Sequence, residues 1–250
     1  MSVQTDQFAG EPNPARPNGN LTKLLALLAV FAVIGGVVAV AFGNRAPRPP
    51  AVAELPIPIG GASIDPAIGI AIDGSGAFVA ATNAPVVIDI FSDSACPFCA
   101  EFDKGYHDQI LQLAADPSVS VRFHPVAVLD RSGNGTGFST KAGAIVLQTA
   151  ATSPAHLWEV NELLLTNQQA AAAMSDADLI NFVSQTGATL PPMDQIMAAQ
   201  APLLDQFTAA FRDSGAQGVP HVRINGQQWS PGGLPWPNES LVEAAAAARG

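Results

Sequence analysis

VVIDIFSDSACPFC, residues 86–99, joins an apolar run to the only two cysteines of the chain, Cys96 and Cys99. The run VVIDIF (86–91) is short, mostly β-branched or aromatic, and lacks polar alternation. That is the pattern of a strand buried on both faces. The residues after it read as a helix from Cys96 to about Ala115, ended by Asp116-Pro117. Phe98, Phe102, Tyr106 and Ile110 recur every fourth residue and so share one helical face. Pro97 fits the first helical position, where its missing N–H has no intrahelical partner to lose.

The spacing of the cysteines narrows their chemistry. At i and i+3 in a first helical turn, Cys96 and Cys99 are neighbours and can be bridged with little backbone movement. So small a ring barely constrains an unfolded chain, so an inert crosslink gains little. A zinc site needs two further ligands, and His107, His124, His156 and His221 show no His-x₃₋₅-His spacing. No metal and no bound cofactor is therefore expected. Reactivity explains the pair better. At a helix N-terminus, free N–H groups and the helix dipole favour a thiolate on Cys96. Cys99, one turn in, is expected to stay buried and protonated until it resolves a mixed disulfide formed on Cys96. The crosslink and zinc readings remain as alternatives.

Upstream, residues 24–42 form an unbroken run of apolar residues and glycine between Lys23 and Arg45. At ~1.5 Å per residue the run nearly matches a ~30 Å hydrocarbon core. It reads as a transmembrane anchor over 21–42. The competing reading is a cleaved signal peptide, for which Ala39-Val40-Ala41 offers small residues at the right spacing. Either reading sends the rest of the chain out of the cytoplasm. The basic residues are balanced across the run, with Arg16 and Lys23 before it and Arg45 and Arg48 after it. The N-terminus is placed inside because one early anchor before a large domain commonly exports that domain. Residues 1–20 read as a disordered tail, and residues 43–64 as a proline-rich spacer between the membrane and a domain over 65–250. The net charge of −10, from 21 acidic against 11 basic residues, argues against a nucleic-acid partner.

Downstream, IGIAI (68–72) and AFVA (77–80) flank the turn-like DGSG and suggest a leading hairpin. VSVRFHPV (119–126) is the next strand. A long helical stretch follows. One helix covers 139–151, a second opens at Ser153-Pro154, a third runs from Ser175 to Gly187, and a fourth from about Pro192 to Arg212. VPHVRI (219–224) is strand-like, and Asn225-Gly226 turns it into QQW. NESLVEAAAAAR (238–249) closes the chain as a helix with Asn238 as its cap. This order implies an α/β layer with an inserted helical bundle.

Together, VVIDIFSDSACPFC (86–99) and GVPHVRINGQQW (218–229) resemble the DsbA-like thiol–disulfide oxidoreductases of the thioredoxin superfamily. Order and spacing match over roughly residues 65–250. The resemblance implies a thioredoxin fold with a helical insertion at about 136–190. It implies that Cys96 and Cys99 are the redox pair, with Pro97 and Phe98 between them. It also implies that Val219-Pro220 is a cis peptide beside that pair, with the Val219 backbone pairing to an extended client. Asp89 matches the family's acidic strand position. In an apolar strand its pKa should rise, so it could move a proton to or from Cys99. An exposed strand-edge Asp is the alternative. Asp93 and Ser94 read as turn and capping residues.

Two departures bear on redox strength. Phe98 stands where the most oxidising members carry histidine, and a phenyl ring gives the thiolate no hydrogen bond. His221 replaces a small polar residue and could restore part of that stabilisation; a solvent-facing strand position is the alternative. The implied function is disulfide formation in reduced, exported proteins, with a membrane redox partner that reoxidises the pair. A reductase or isomerase on the same fold, and a non-catalytic client-binding module, are the rivals.

Overall fold

The computed structural model describes residues 64–130 and 137–249. The expected tail, anchor and nearly all of the spacer fall on residues 1–63, outside the described residues. Among the described residues no helix is long and apolar enough to cross a membrane.

Five strands form one sheet: β1 (Ile70–Ile72), β2 (Val86–Ser92), β3 (Val119–Pro125), β4 (His221–Ile224) and β5 (Gln227–Trp229). The spatial order is β1-β3-β2-β4-β5. β2 and β3 run parallel, with Ile88 opposite Val121 and Phe91 opposite His124. All other pairings are antiparallel. The parallel pair is joined by α1 (Pro97–Ala114), the helix read from the cysteines onward. It buries Phe102, Tyr106, Ile110 and Leu113 in a core shared with Ile88 and Ile90 of β2. Phe98 does not continue that stripe. It stands 54% exposed in the first turn, one turn before the buried Phe102.

Between β3 and β4 the chain is helical: α2 (Phe138–Thr152), a single 3₁₀ turn (Pro154–His156), α3 (Leu157–Thr166), α4 (Gln168–Ala172), α5 (Asp176–Ser184) and α6 (Met193–Asp213). α2 is buried around nearly its whole circumference. It starts under Asp130, whose carboxylate accepts from the N–H groups of Ser139 and Thr140. Gly143 lets α2 lie against α6, since a Cβ there would come 2.8 Å from Leu204. α6 is continuous through Pro202. The last helix is α7 (Leu241–Ala247).

Three expectations change. The leading hairpin is reduced to β1 and an isolated bridge, Ile72 to Phe78, with Val79 N–H donating to Ala71. Asp73 takes the amides of Ser75 and Ala77 on one oxygen and so builds a turn too tight for a second full strand. Ser153-Pro154 opens only the 3₁₀ turn, and the Ser153 hydroxyl accepts instead from Thr189 N–H. The last helix is capped by Ser240, which accepts from Glu243 N–H, and not by Asn238. By contrast Ser175 caps α5 as read, accepting from Asp178 N–H. Asn225 and Gly226 both take positive φ (51° and 78°) in the β4–β5 turn, the geometry that favours Asn-Gly.

Candidate active site

Cys96 is the N-cap of α1, with extended backbone (φ −88°, ψ 117°) and Pro97 directly after it. Its carbonyl accepts from Cys99 N–H and Ala100 N–H, and from the Gln168 side chain at 2.8 Å. Its sulfur therefore sits at the positive pole of the helix, over amides without intrahelical partners. Cys99 lies one turn further in, fully buried, with Asp93 N–H donating to its sulfur at 3.5 Å. Both cysteines are free thiols.

The two sulfurs are driven apart in acidity. The Cys96 thiol falls to about 7, chiefly because the Cys99 thiol donates to it, helped by the amides of Cys99 and Phe98. Burial and the nearby Asp93 work the other way. The Cys99 thiol is pushed up, first by burial and then by its bond to Cys96. The split favours a thiolate on Cys96 and a proton on Cys99.

Val219 and Pro220 approach this pair from the start of β4. Their peptide bond is cis. The Cys96 thiol donates to the Val219 carbonyl at 3.5 Å, and Val219 packs with Cys96, Cys99, Leu129 and Leu165. Pro97 and Phe98 stand exposed on the outer side of the first turn. Pro97 also borders a cleft of about 1110 Å³ whose walls include Ala100, Asp103, Phe138, Leu165 and Gln168.

The structure also places Asp89 and His221. Asp89 is partly exposed, nearer to the strand-edge alternative than to a buried carboxylate. It shares a β2 face with Phe91, the face covered by Phe211 of α6. There its carboxylate pairs with His124 Nε2 at 2.9 Å and stays partly exposed. His221 is neither solvent-facing nor bonded to Cys96. Its ring is buried against Phe91 and Phe211, and its Nε2 accepts from Arg223 at 3.2 Å. Burial, then the Arg223 charge, lower its pKa, which favours the neutral ring.

The buried carboxylate near the pair is Asp93. It forms the local turn read from sequence, accepting from Ala95 N–H at 2.9 Å. It also accepts from Val128 N–H and Leu129 N–H, at 2.8 and 3.0 Å, and has no exposed surface. Burial raises its pKa, opposed by those amides. The partners lie 35 and 36 residues away, so no local motif announces them. Asp103 was also missed. It follows Cys99 by one turn on the buried face of α1, which helical periodicity does indicate. Burial, then the Glu162 charge, push its carboxyl up to about 7.

A mixed sheet with a helix capped by one of two paired thiols, and a cis-proline loop against that thiol, defines a thioredoxin-like protein. A family model described as Thioredoxin matches residues 74–233, and the chain belongs to that family. The serine/threonine-protein kinase PknE of Mycobacterium tuberculosis H37Rv is 29% identical over 49% of this chain and 23% of its own. The chain thus spans under a quarter of the length of the curated relatives it matches. Among solved structures, the MdbA protein, a thiol-disulfide oxidoreductase from Corynebacterium diphtheriae, aligns with a TM-score of 0.54 and 22% identity, over 74% of this chain and 94% of that one. The disulfide bond oxidoreductase DsbG from Mycobacterium tuberculosis aligns with 0.55 and 20%, over 73% and 94%. At these identities the likeness is one of fold.

Proposed function

We propose that this chain is an extracytoplasmic protein thiol–disulfide oxidoreductase, tethered to the membrane through residues 21–42, that forms disulfides in exported proteins. The observation that carries the reading is geometric: Cys96 caps the N-terminus of α1 against the cis Val219-Pro220 loop, with Cys99 buried one turn further in. The split acidity, Cys96 lowered to about 7 and Cys99 raised, agrees with it. In the oxidised protein a client thiolate attacks the Cys96 sulfur. The Cys96–Cys99 bond breaks and Cys99 leaves with the electron pair, then takes up a proton. A second client thiolate attacks the client sulfur of the mixed disulfide, and Cys96 departs as the stabilised thiolate. The client has lost two electrons and the pair has gained them. A membrane redox partner accepts them and restores the disulfide. Stabilising the Cys96 thiolate favours the reduced pair, which makes the oxidised pair the better oxidant.

The loop at Val219-Pro220 supports a place for the client. It borders Cys96, and an extended peptide laid along it would pair with the backbone as an added strand. Family membership and the likeness in fold to oxidoreductases agree with the reading. The test is trapping. Cys99→Ser accumulates clients as mixed disulfides on Cys96, and Cys96→Ser abolishes exchange. Equilibration against glutathione then sets direction, and a potential near that of thioredoxin, about −270 mV, would favour a reductase.

A further inference from the structure

Asp103 and His107 lie one turn apart on α1, and Glu162 faces them from α3. One oxygen of each carboxylate and one ring nitrogen of His107 all lie within 4.8 Å of one another. Asp103 is 6% exposed, borders the cleft beside Pro97, and takes no hydrogen bond on its carboxylate among the described residues. An enclosed carboxylate opposed by a second carboxylate is costly in its charged form, and either a proton or a cation can compensate it. The Trp158 indole N–H donates to His107 Nδ1 at 3.2 Å, so Nδ1 is the unprotonated ring nitrogen; its one lone pair is held by the indole and would have to turn to a cation lying towards Glu162 Oε2, 4.0 Å away. Glu162 and His107 are partly exposed, so a cation has an entry path and room for water as further ligands.

We propose that Asp103, His107 and Glu162 form a binding site for a divalent transition-metal cation, distinct from the cysteine pair. Two carboxylate oxygens and one imidazole nitrogen suit Zn²⁺ or Mn²⁺. The cation ties α1 to α3 and takes the Nδ1 lone pair away from the Trp158 indole.

The test is calorimetric titration of the full chain with Zn²⁺ and separately with Mn²⁺, at neutral pH and with the cysteines oxidised so that no thiolate competes. The expected result is one saturable site for at least one of the two cations. It is weakened at least tenfold by His107→Gln and by Glu162→Gln, and kept in the Cys96→Ser/Cys99→Ser double variant. Glu162 is half exposed, so its substitution tests the ligand without threatening the fold. The Trp158 indole proton resonance shifts on saturation. No saturable binding of either cation up to millimolar concentration overturns the proposal. So does binding that either substitution weakens by less than tenfold, or that is lost in the cysteine variant.

Discussion

Cys96 and Cys99 differ by three positions in sequence and by opposite environments in space. Cys96 meets the amides of its own helix and a thiol donor, whereas Cys99 meets the core. Asp93 holds this arrangement by tying the turn before Cys96 to residues 128 and 129. Asp93→Asn replaces a carboxylate oxygen with a donor facing buried amides, and unfolding should become easier by about 2 kcal/mol. It also removes the charge that raises Cys96, so the Cys96 pKa of the variant falls below the wild-type value of about 7. Thermal unfolding and a thiolate titration on one sample check both, and an unchanged pKa would deny Asp93 its electrostatic part. At this scale the cysteines were legible because strand, Cys-Pro-x-Cys and helix follow one another in sequence. The surroundings of Asp89 are not legible in the same way, because strand alternation tells that two residues share a face but not which face a distant helix covers. The same holds for His221, whose partners, Phe91 and Phe211, come from two other elements.

Elements were read best where one local pattern decides them. β2 is a largely apolar run, β3 alternates Val119, Val121 and Phe123 with polar residues, and α1 has a proline start and apolar residues recurring every fourth position. Local patterns mislead where two nearby polar residues compete for a cap, as at Asn238 and Ser240, or where a tight turn cuts a strand short, as at Asp73. Tertiary ties then hold the elements together. Tyr106 of α1 donates to the Glu239 carbonyl at 2.9 Å, and Gln109 of α1 accepts from Leu241 N–H at the start of α7. Tyr106→Phe should cost about 1 kcal/mol by losing that donor. Near the start of β1, Gly69 has φ +89°, and a Cβ there would lie 2.5 Å from His124 Nε2. Gly69→Ala therefore combines backbone strain with overpacking and should cost about 3 kcal/mol. Denaturant unfolding of the two variants should rank Gly69→Ala as the more damaging; the reverse order would show that the His124 ring yields freely.

Over the whole molecule, the sheet order brings the two decisive segments together although 123 residues separate Cys96 from Val219. β2 delivers the thiols and its antiparallel neighbour β4 begins at the cis-proline loop. That meeting could be named from sequence only through resemblance to a family, since neither segment encodes the other's position. The helical block could be counted from its caps and breaks, but not its packing, which depends on contacts such as Gly143 with Leu204. The proposed tether is a property of the full chain. Removing residues 1–42 should move the protein from the membrane fraction to the soluble fraction of its host without loss of thiol–disulfide exchange, and fractionation with an exchange assay checks both.

An ionised sulfur at Cys96 drives the proposed exchange. Its lowered pKa means that the folded, reduced protein releases this proton before the unfolded chain does. Stability from Cys96 is therefore fully present above the unfolded value of about 9 and is lost as pH falls through about 7. The direct measurement is the ultraviolet thiolate absorbance of the reduced protein against pH, compared with Cys96→Ser. The predicted result is a one-sulfur step centred near pH 7 that vanishes in the variant. A curve that rises only near pH 9, where an ordinary thiol titrates, would contradict the account.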